Sequence, residues 1–345
     1  MIINNELLQE QNTNINNTKR QSNFELLRII CMLLIITHHL SVHSYYTSDI
    51  SIFNQYLIRF FQIGGKLGVN VYVLISGYFM ITSNFKLKKL VKLIIETIFY
   101  SISIYLIFCI FGIIKFDYYA FLQSLFVIRF NKYWFITSFI ILYAISPFLN
   151  KCLRACNYKE MLVLIAILLF VQLEIPKVPT PIISNEFLWF VTLYVVASFI
   201  RLHGNDLLNS FKFTLPVFIV SFVLIALNRI LYLNPYDSLV HLACFICSVS
   251  LFLIFKNINI GYIKIINFIS SSTLAVYLIH DNKLVREQIW NVWLKMPNYA
   301  YSNRFILYAI IVVFAVFIIC ILIDFIRRLI INLSIKIFKR LKIKN

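Results

Sequence analysis

The sequence predicts an all-α fold, a polytopic integral membrane helical bundle of about ten transmembrane helices with both termini in the cytoplasm. The first observation is composition: of 345 residues, 61% are hydrophobic, 17% are aromatic and only 13% are charged, which is not expected of a soluble domain. The second is that the apolar residues fall into windows long enough to cross a bilayer. The third is an uneven distribution of lysine and arginine between alternate connections. Only helices satisfy the backbone in lipid at these segment lengths, which excludes a sheet.

Ten apolar windows of the length that a bilayer requires follow one another along the chain. They cover residues 24–43, 63–82, 90–114, 134–149, 161–173, 187–200, 213–233, 239–255, 265–280 and 305–325. Window 161–173 is short for a span, and window 265–280 has three consecutive serines at its centre. The outer connection 174–186 carries three prolines, so we expect it to be extended rather than helical.

The basic residues predict which side of the membrane each connection faces. With the N-terminus inside, the cytoplasmic segments contain most of the 32 lysines and arginines, as the positive-inside rule requires. We therefore expect a multi-pass protein of the bacterial cytoplasmic membrane, with a membrane domain (residues 23–328) between a polar cytoplasmic tail (1–22) and a basic cytoplasmic tail (329–345). Retention of basic loops on the cytoplasmic side and attraction to anionic lipid account for most of the net charge of +18. The expected partner is thus the bilayer, and nucleic acid is not needed.

The seven cysteines lie in predicted spans or cytoplasmic loops rather than in outer loops, so no disulfide framework is expected. Cys152 and Cys156 form one close pair, and Cys244 and Cys247 form another. Neither pair is joined by a second pair or by a nearby histidine couple, as a zinc site would require. We therefore expect no metal.

Arg28 and His39 are ionisable residues inside an otherwise apolar window, and they mark the first place to look for chemistry. Such a side chain costs about 2.5 to 3.5 kcal/mol in a spanning helix, so it usually faces a protein interior or a water-filled path. Their separation of eleven residues is close to three helical turns, which puts both on one helix face, about 16 Å apart. The alternative is that Arg28 snorkels to the cytoplasmic surface and His39 to the opposite interface.

Several stretches of the chain resemble the membrane-bound acyltransferase 3 family, in the same order. They are NFELLRIICMLLIITHHL, GVNVYVLISGYFM, KYWFITSFIILYAISPFLN, FLWFVTLYVVASFIRLHG, ISSSTLAVYLIHDN and LIDFIRR. The specific parts are the Arg-x10-His arrangement of Arg28 and His39 and the run G-V-x-V-x-x-x-I-S-G-Y. The likeness covers nearly the whole chain.

The resemblance implies a donor, a reaction and roles for these two residues. Members of the family move an acyl group, most often acetyl, from coenzyme A in the cytoplasm to sugars or other acceptors at the outer side. His39 then takes the essential role, as general base or as acyl carrier, and neutral imidazole suits both. Arg28 is expected to bind the donor substrate, acetyl-CoA. The same role is expected of Lys86, Lys88 and Lys89, which stand where many members carry arginines.

The acceptor hydroxyl needs polar side chains toward the outer side of the cavity that would contain His39. Tyr277, His280 and Asp281 end the ninth predicted span there, and a histidine beside a carboxylate suits the orientation of a hydroxyl. The alternative for these three is an interfacial cap. Ser76 and Tyr78 in the second span are candidates for the cavity wall, although small and aromatic residues also serve helix packing. We predict all five as substrate-binding residues.

Four further ionisable residues have weaker claims on function. His38 lies about 100° around the helix from its histidine neighbour and is expected to face another helix. Arg229 and His241 flank the seventh and eighth spans near the outer surface. Glu96 in the third span is a candidate ion-pair partner of Arg28, although the lysines of the preceding loop would serve it equally well.

These observations predict an acyltransferase for groups other than amino-acyl groups. Its reaction moves an acyl group, acetyl by the resemblance, from cytoplasmic acyl-CoA to a hydroxyl of an exported or cell-surface glycan. Two other classes share the polytopic, aromatic and basic character: a flippase or transporter of lipid-linked sugars, and a glycan polymerase. A transporter predicts internal repeats or paired broken helices, and the sequence has no self-similar halves. A polymerase predicts a long outer loop rich in arginine, and the outer segments here are short.

Overall fold

The computed structural model describes residues 20–47, 49–174, 185–231 and 238–344, and the regular structure within these ranges is helical. The predicted all-α class is therefore confirmed. The helices are α1 (Ser22–His43), α2 (Ile52–Phe61), α3 (Ile63–Met80), α4 (Leu87–Ile110), α5 (Tyr118–Leu125), α6 (Trp134–Ala155), α7 (Tyr158–Glu174), α8 (Asn185–His203), α9 (Phe211–Ile230), α10 (Ser238–Asn257), α11 (Lys264–Ser270), α12 (Thr273–His280), α13 (Lys283–Gln288), a π-helix (Ile289–Trp293), α14 (Met296–Tyr299) and α15 (Phe305–Lys344).

Seven helices in the described part of the chain are long and apolar enough to cross a membrane: α1, α4, α6, α8, α9, α10 and α15. They coincide with seven of the ten predicted windows. Two more windows correspond to single helices, α3 with 18 residues and α7 with 17. The predicted polytopic bundle is thus confirmed, while its count of ten spans stays a prediction.

The predicted span at residues 265–280 is wrong as a continuous helix, because α11 and α12 are separated by Ser271 and Ser272. The Ser271 hydroxyl donates to the Phe268 carbonyl oxygen at 2.6 Å, and serines that bond to nearby backbone compete with the helical hydrogen bonds. The Arg328 guanidinium, from α15, donates to the hydroxyls of both serines. Hydrogen bonds from a serine of the interruption itself and from an arginine of α15 therefore stabilise the interruption.

α1 is the central helix of the bundle, and it packs closely against α3. A Cβ atom on Gly68 would lie 2.8 Å from the carbonyl oxygen of Cys31, and one on Gly64 would overlap the Leu34 carbonyl. Glycines at this spacing let two membrane helices approach backbone to backbone. The contact fixes the position of α1, which carries the two ionisable residues of the Arg-x10-His arrangement.

Two hydrophobic clusters pack against α1. The first contains Leu27 of α1 with Phe190 of α8 and residues of α3 and α10. The second contains Ile36 of α1 with Val276 of α12 and Phe317 of α15. α1 therefore contributes apolar side chains to both clusters.

The outer surface of the bundle is apolar on several helices. Ile95 of α4, Leu224 of α9 and Ile311 of α15 are large aliphatic residues, and each is more than half exposed. Apolar side chains on the outside are what a lipid environment accepts and water does not. The surface therefore agrees with the bilayer as the surroundings of this chain.

The predicted tails and the proline-containing connection lie partly outside the described residues. Residues 1–19 of the N-terminal tail and residues 175–184 of the outer connection are among those not described. At the other end, α15 continues from Phe305 to Lys344. The predicted boundary between residues 328 and 329 therefore falls within a helix.

Candidate active site

Two histidines from different helices are in contact with each other. His39 lies in the last part of α1, and His280 is the final residue of α12. The Nδ1 atom of His39 is 2.9 Å from the Nε2 atom of His280. Both residues are buried, with exposed fractions of 9% and 0%. Because 241 positions separate them in the sequence, the fold alone brings them together.

The neighbours of the two rings assign the position of each proton. His280 Nδ1 lies 2.5 Å from the carbonyl oxygen of Val276, and a carbonyl oxygen only accepts, so this nitrogen carries the proton. In neutral His280 the Nε2 atom is then an acceptor for the Nδ1–H of His39. We assign these tautomers from the hydrogen-bond partners. His39 Nε2 is left with its lone pair, as a general base or a nucleophile requires.

A carboxylate and a guanidinium complete the surroundings of the His39 ring. Asp281 Oδ1 lies 3.5 Å from His39 Nδ1, close enough to stabilise positive charge on the ring. Arg286 Nη1 is 3.3 Å from the same Asp281 oxygen and donates to His43 Nε2 at 3.0 Å. The acid is therefore shared between the candidate base and a cation.

His39, His43 and Asp281 also have the donor atoms of a metal site, with one ligand atom from each within 4.8 Å of the others. Imidazole nitrogens and carboxylates are common zinc ligands. The Arg286 guanidinium already contacts both His43 and Asp281, so a divalent ion here would meet a fixed positive charge at close range. The residues fit a hydrogen-bonded network better than a resident metal, and the expectation of no metal stays a prediction.

Arg28 and His39 line one cavity, as their helical spacing predicts, and we call it the Arg28 cavity. Its volume is about 290 Å³. Most of its wall is apolar and aromatic, and its other polar lining residues include Glu25, Ser76 and Ser270. The cavity thus leads along α1 from the guanidinium to the candidate base.

Arg28 is held by an acid on its own helix. Glu25 Oε1 lies 2.5 Å from Arg28 Nη1, and Glu25 Oε2 accepts from Ser270 Oγ at 2.5 Å, which ties α1 to α11. Glu96 instead pairs with Arg327 of α15 at 2.8 Å. The candidate pairing of Glu96 with Arg28 is therefore wrong, because Glu25 is one helical turn away and Glu96 contacts a different helix.

A second cavity, which we call the Arg286 cavity, reaches His39 from another direction. Its volume is about 640 Å³, and charged and aromatic side chains line it, among them Lys66, Arg229 and Arg286. Both cavities share four lining residues: Ile35, His39, Val69 and Trp134. The candidate base therefore lies where the two cavities meet.

Four of the predicted substrate-binding residues lie at this junction or on the cavity walls. Ser76 and Tyr277 line the Arg28 cavity. Asp281 lines the Arg286 cavity, and His280 contacts His39 directly. The structure thus brings together residues from α3, α12 and the turn that follows α12.

The remaining predicted residues lie away from both cavities. The Tyr78 hydroxyl accepts from Arg201 Nη1 at 2.9 Å, and the guanidinium carbon is 4.7 Å from the centre of its ring. This geometry favours the packing alternative for Tyr78. The three lysines are exposed around the start of α4 and line neither cavity: Lys86, Lys88 and Lys89.

Three of the four weaker candidates line the Arg286 cavity: His38, Arg229 and His241. The Nδ1 atom of His38 is 2.9 Å from the carbonyl oxygen of Gln62, so this nitrogen donates the hydrogen bond. The ring also lies where a Cβ on Gly65 would be. His38 therefore faces α3, as its angle from its neighbour predicts.

Reasoning from the sequence missed the residues that orient His39. His280 was expected to contact the acceptor, and neither His43 nor Arg286 was singled out. His43 lies one helical turn after His39 on α1, whereas His280 and Arg286 have no local signal, because they come from a distant part of the chain. Glu25 did have one, the spacing of three residues that places an acid beside the arginine on a helix.

Comparison with known proteins gives one match. The family model described as an acyltransferase domain, that of the acyltransferase 3 family, matches residues 21–325. The matched range includes every residue of the site described above. No curated protein and no solved structure matches the chain.

Proposed function

The chain belongs to the acyltransferase 3 family, and from this we propose that it transfers an acyl group, acetyl in the simplest case, from acyl-CoA to a hydroxyl of an exported or cell-surface glycan. The observation that carries the proposal is the position of His39. It lies at the junction of two cavities, with Nδ1 engaged by His280 and Nε2 left as the basic nitrogen. A group transfer between two substrates that approach from different directions needs such a position.

His39 supports transfer by general base catalysis. As the acceptor oxygen attacks the thioester carbonyl, its proton moves to His39 Nε2. The carbon–sulfur bond then breaks, and the same proton passes to the sulfur, which leaves as the free thiol of coenzyme A. The imidazolium formed between these steps is stabilised by Asp281, 3.5 Å from Nδ1.

A covalent route uses the same nitrogen. His39 Nε2 attacks the thioester carbonyl, and coenzyme A leaves as the thiolate, while the acylated ring keeps its proton on Nδ1. The acceptor oxygen then displaces the histidine from the acyl carbon, and the acceptor proton passes to the thiolate, which becomes the free thiol. Both routes need Nδ1 of His39 to be held by an acceptor, and His280 is that acceptor in its neutral state.

The Arg28 cavity is the proposed donor site. Arg28 supplies a positive charge for a phosphate or a donor for the amides of the pantetheine arm, and such charge-assisted hydrogen bonds contribute about 1.5 to 3 kcal/mol each. Glu25 orients Arg28. The lysines at the start of α4 are proposed to meet the nucleotide outside the cavity, because Lys89 lies one turn before Leu93, which lines it.

The Arg286 cavity is the proposed acceptor site, with the outer side of the membrane as its entrance. Asp281 lines it beside His39, where the carboxylate is suited to orient a hydroxyl. The sequence also left a flippase and a polymerase open, and membership of an acyltransferase family favours neither. The bilayer, acyl-CoA and a glycan are thus the proposed partners.

The test is a transfer assay in proteoliposomes that hold the purified protein. Acetyl-CoA labelled in its acetyl group is supplied on the Arg28 side, and polysaccharide from the source cells on the other. We expect label in the polysaccharide and free coenzyme A in equal amounts, both lost in His39→Ala. Label that crosses the bilayer without joining the polysaccharide, or release of coenzyme A that does not need His39, contradicts the proposal.

A further inference from the structure

The Arg286 cavity is lined by cations from three separate helices: Lys66 of α3, Arg229 of α9 and Arg286 of α13. Its described carboxylates are Asp281 and Glu186. Asp281 is already shared by Arg286 and His39, and Glu186 is exposed. Among the described lining residues, the three cations therefore outnumber the two carboxylates, and the wall carries a net positive charge.

Arg229 is the lining cation whose hydrogen bonding best supports an anionic ligand. It lies in the last turn of α9, and its Nε atom is buried with no hydrogen-bond partner in the described part of the chain. A buried donor without an acceptor is costly, and native proteins leave few of them. An oxygen of a ligand in the cavity would satisfy it.

Two indole rings give the same cavity flat apolar surfaces. Trp134 and Trp189 line it, and the Lys66 ammonium lies 5.3 Å from the centre of the Trp189 ring. Trp189 Nε1 donates to Asn70 Oδ1 at 2.8 Å, which fixes the plane of the ring. Rigid aromatic faces beside charged and polar groups suit a sugar ring, which has apolar C–H faces and a polar edge.

We propose that the acceptor is an anionic saccharide, whose carboxylate or phosphate group binds Arg229 and Lys66 while its hydroxyl lies at His39. The inference rests on the proposed function, because it names the substrate class of the same site. Charge-assisted hydrogen bonds to an arginine fix position as well as affinity. The anionic group would thereby select which hydroxyl of the sugar reaches the base.

The test measures binding to the purified full chain, so it does not need transfer to occur. The probes are galacturonate oligosaccharides, glycerol phosphate oligomers and neutral galactose oligosaccharides of equal length, and the readout is quenching of tryptophan fluorescence. We expect at least one anionic probe to bind about tenfold to a hundredfold more tightly than the neutral probe. The first two probes distinguish a carboxylate from a phosphate. Equal binding of all three, or no binding, overturns the proposal.

The variants Arg229→Gln and Lys66→Gln should each remove most of the preference for the anionic probe. Arg304→Gln is the matched control, because Arg304 is exposed and lines neither cavity, and it should leave the preference unchanged. Wild-type affinity in Arg229→Gln overturns the proposal.

If that variant does not fold, the salt dependence of binding to the wild-type protein decides, since screening by salt should weaken the anionic complex and leave the neutral complex unchanged. The opposite dependence, or none, overturns it.

The proposed function fails separately from this inference. A protein that prefers the anionic probe but shows no transfer dependent on His39 supports the charged site and refutes the acyltransferase mechanism at it. A protein that transfers acyl groups through His39 but binds neutral and anionic probes equally refutes the inference alone.

Discussion

His39 Nδ1 and His280 Nε2 are 2.9 Å apart, so that the final residue of α12 fixes the tautomer of the candidate base on α1. The contact depends on the proton that His280 donates to the Val276 carbonyl. His280 therefore acts on the chemistry through His39, as a positioning residue rather than as a group that touches the reacting atoms.

The first prediction tests this relationship. His280→Ala should lower kcat for transfer by about 10- to 100-fold, the size of effect seen when metal-ligating histidines lose an orienting partner, with the KM for acetyl-CoA nearly unchanged. His280→Gln should recover part of the rate, because its side-chain carbonyl can accept from His39 Nδ1. Steady-state kinetics of the two variants would check it. A raised KM with normal kcat would show that His280 serves substrate binding instead.

The second prediction concerns Arg28. Arg28→Ala should weaken acetyl-CoA affinity by about one to two powers of ten, since one charge-assisted contact of about 1.5 to 3 kcal/mol is lost. Excess donor should recover part of the rate, and Arg28→Lys should retain some binding because it keeps the charge. Titration of the purified variants with acetyl-CoA measures the effect. Normal binding with no transfer at saturation would place Arg28 in the catalytic step or in helix packing.

The third prediction concerns sidedness. Val292, on the π-helix, is about half exposed, and Val292→Cys should react with an impermeant thiol reagent added outside whole cells. Cys152 is exposed at the other end of the bundle in the predicted topology, so it serves as the internal control and should react only after the membrane is opened. A reporter fused after Asn345 should be active in the cytoplasm. The reverse labelling pattern would overturn the donor-side role of Arg28.

The fourth prediction concerns the contact between α1 and α3. Gly68→Ala places a Cβ 2.8 Å from the Cys31 carbonyl oxygen, and overpacking of this kind typically costs about 1 to 3 kcal/mol. We expect a lower midpoint of thermal unfolding and weaker transfer, because α1 carries the candidate base. Gly77→Ala is the control, since the nearest atom to its Cβ would be Ala197 Cβ of α8 at 3.0 Å, a looser contact than the one at Gly68. A larger loss for Gly77→Ala than for Gly68→Ala would contradict this view of the interface.

What could be predicted from the sequence is what depends on local periodicity. Lipid forces long apolar segments into helices, and the period of 3.6 residues puts Arg28 and His39 on one face. Both predictions depend only on residues that are close to one another along a single helix. The same reasoning finds Glu25 beside Arg28 once the spacing of three residues is considered.

What could not be predicted depends on contacts between distant segments. His39 meets His280 across 241 positions, and Glu96 meets Arg327 across 231. Hydropathy does not specify which helices become neighbours, because many arrangements bury the same apolar faces. The break within residues 265–280 also depends in part on a contact between distant segments, because Arg328 of α15 donates a hydrogen bond to Ser271 at the break.

The measurement that tests the account most directly compares His39→Ala with His38→Ala in the liposome transfer assay. The two residues are adjacent on α1, and both line the Arg286 cavity, so the pair controls for insertion and for packing of that helix. His39→Ala should lose a factor of about 10² to 10⁴ in rate, the usual contribution of a general base, while His38→Ala stays within a few-fold of wild type. Near-normal transfer by a folded His39→Ala protein, or equal losses in the two variants, would contradict the assignment of His39 as the base.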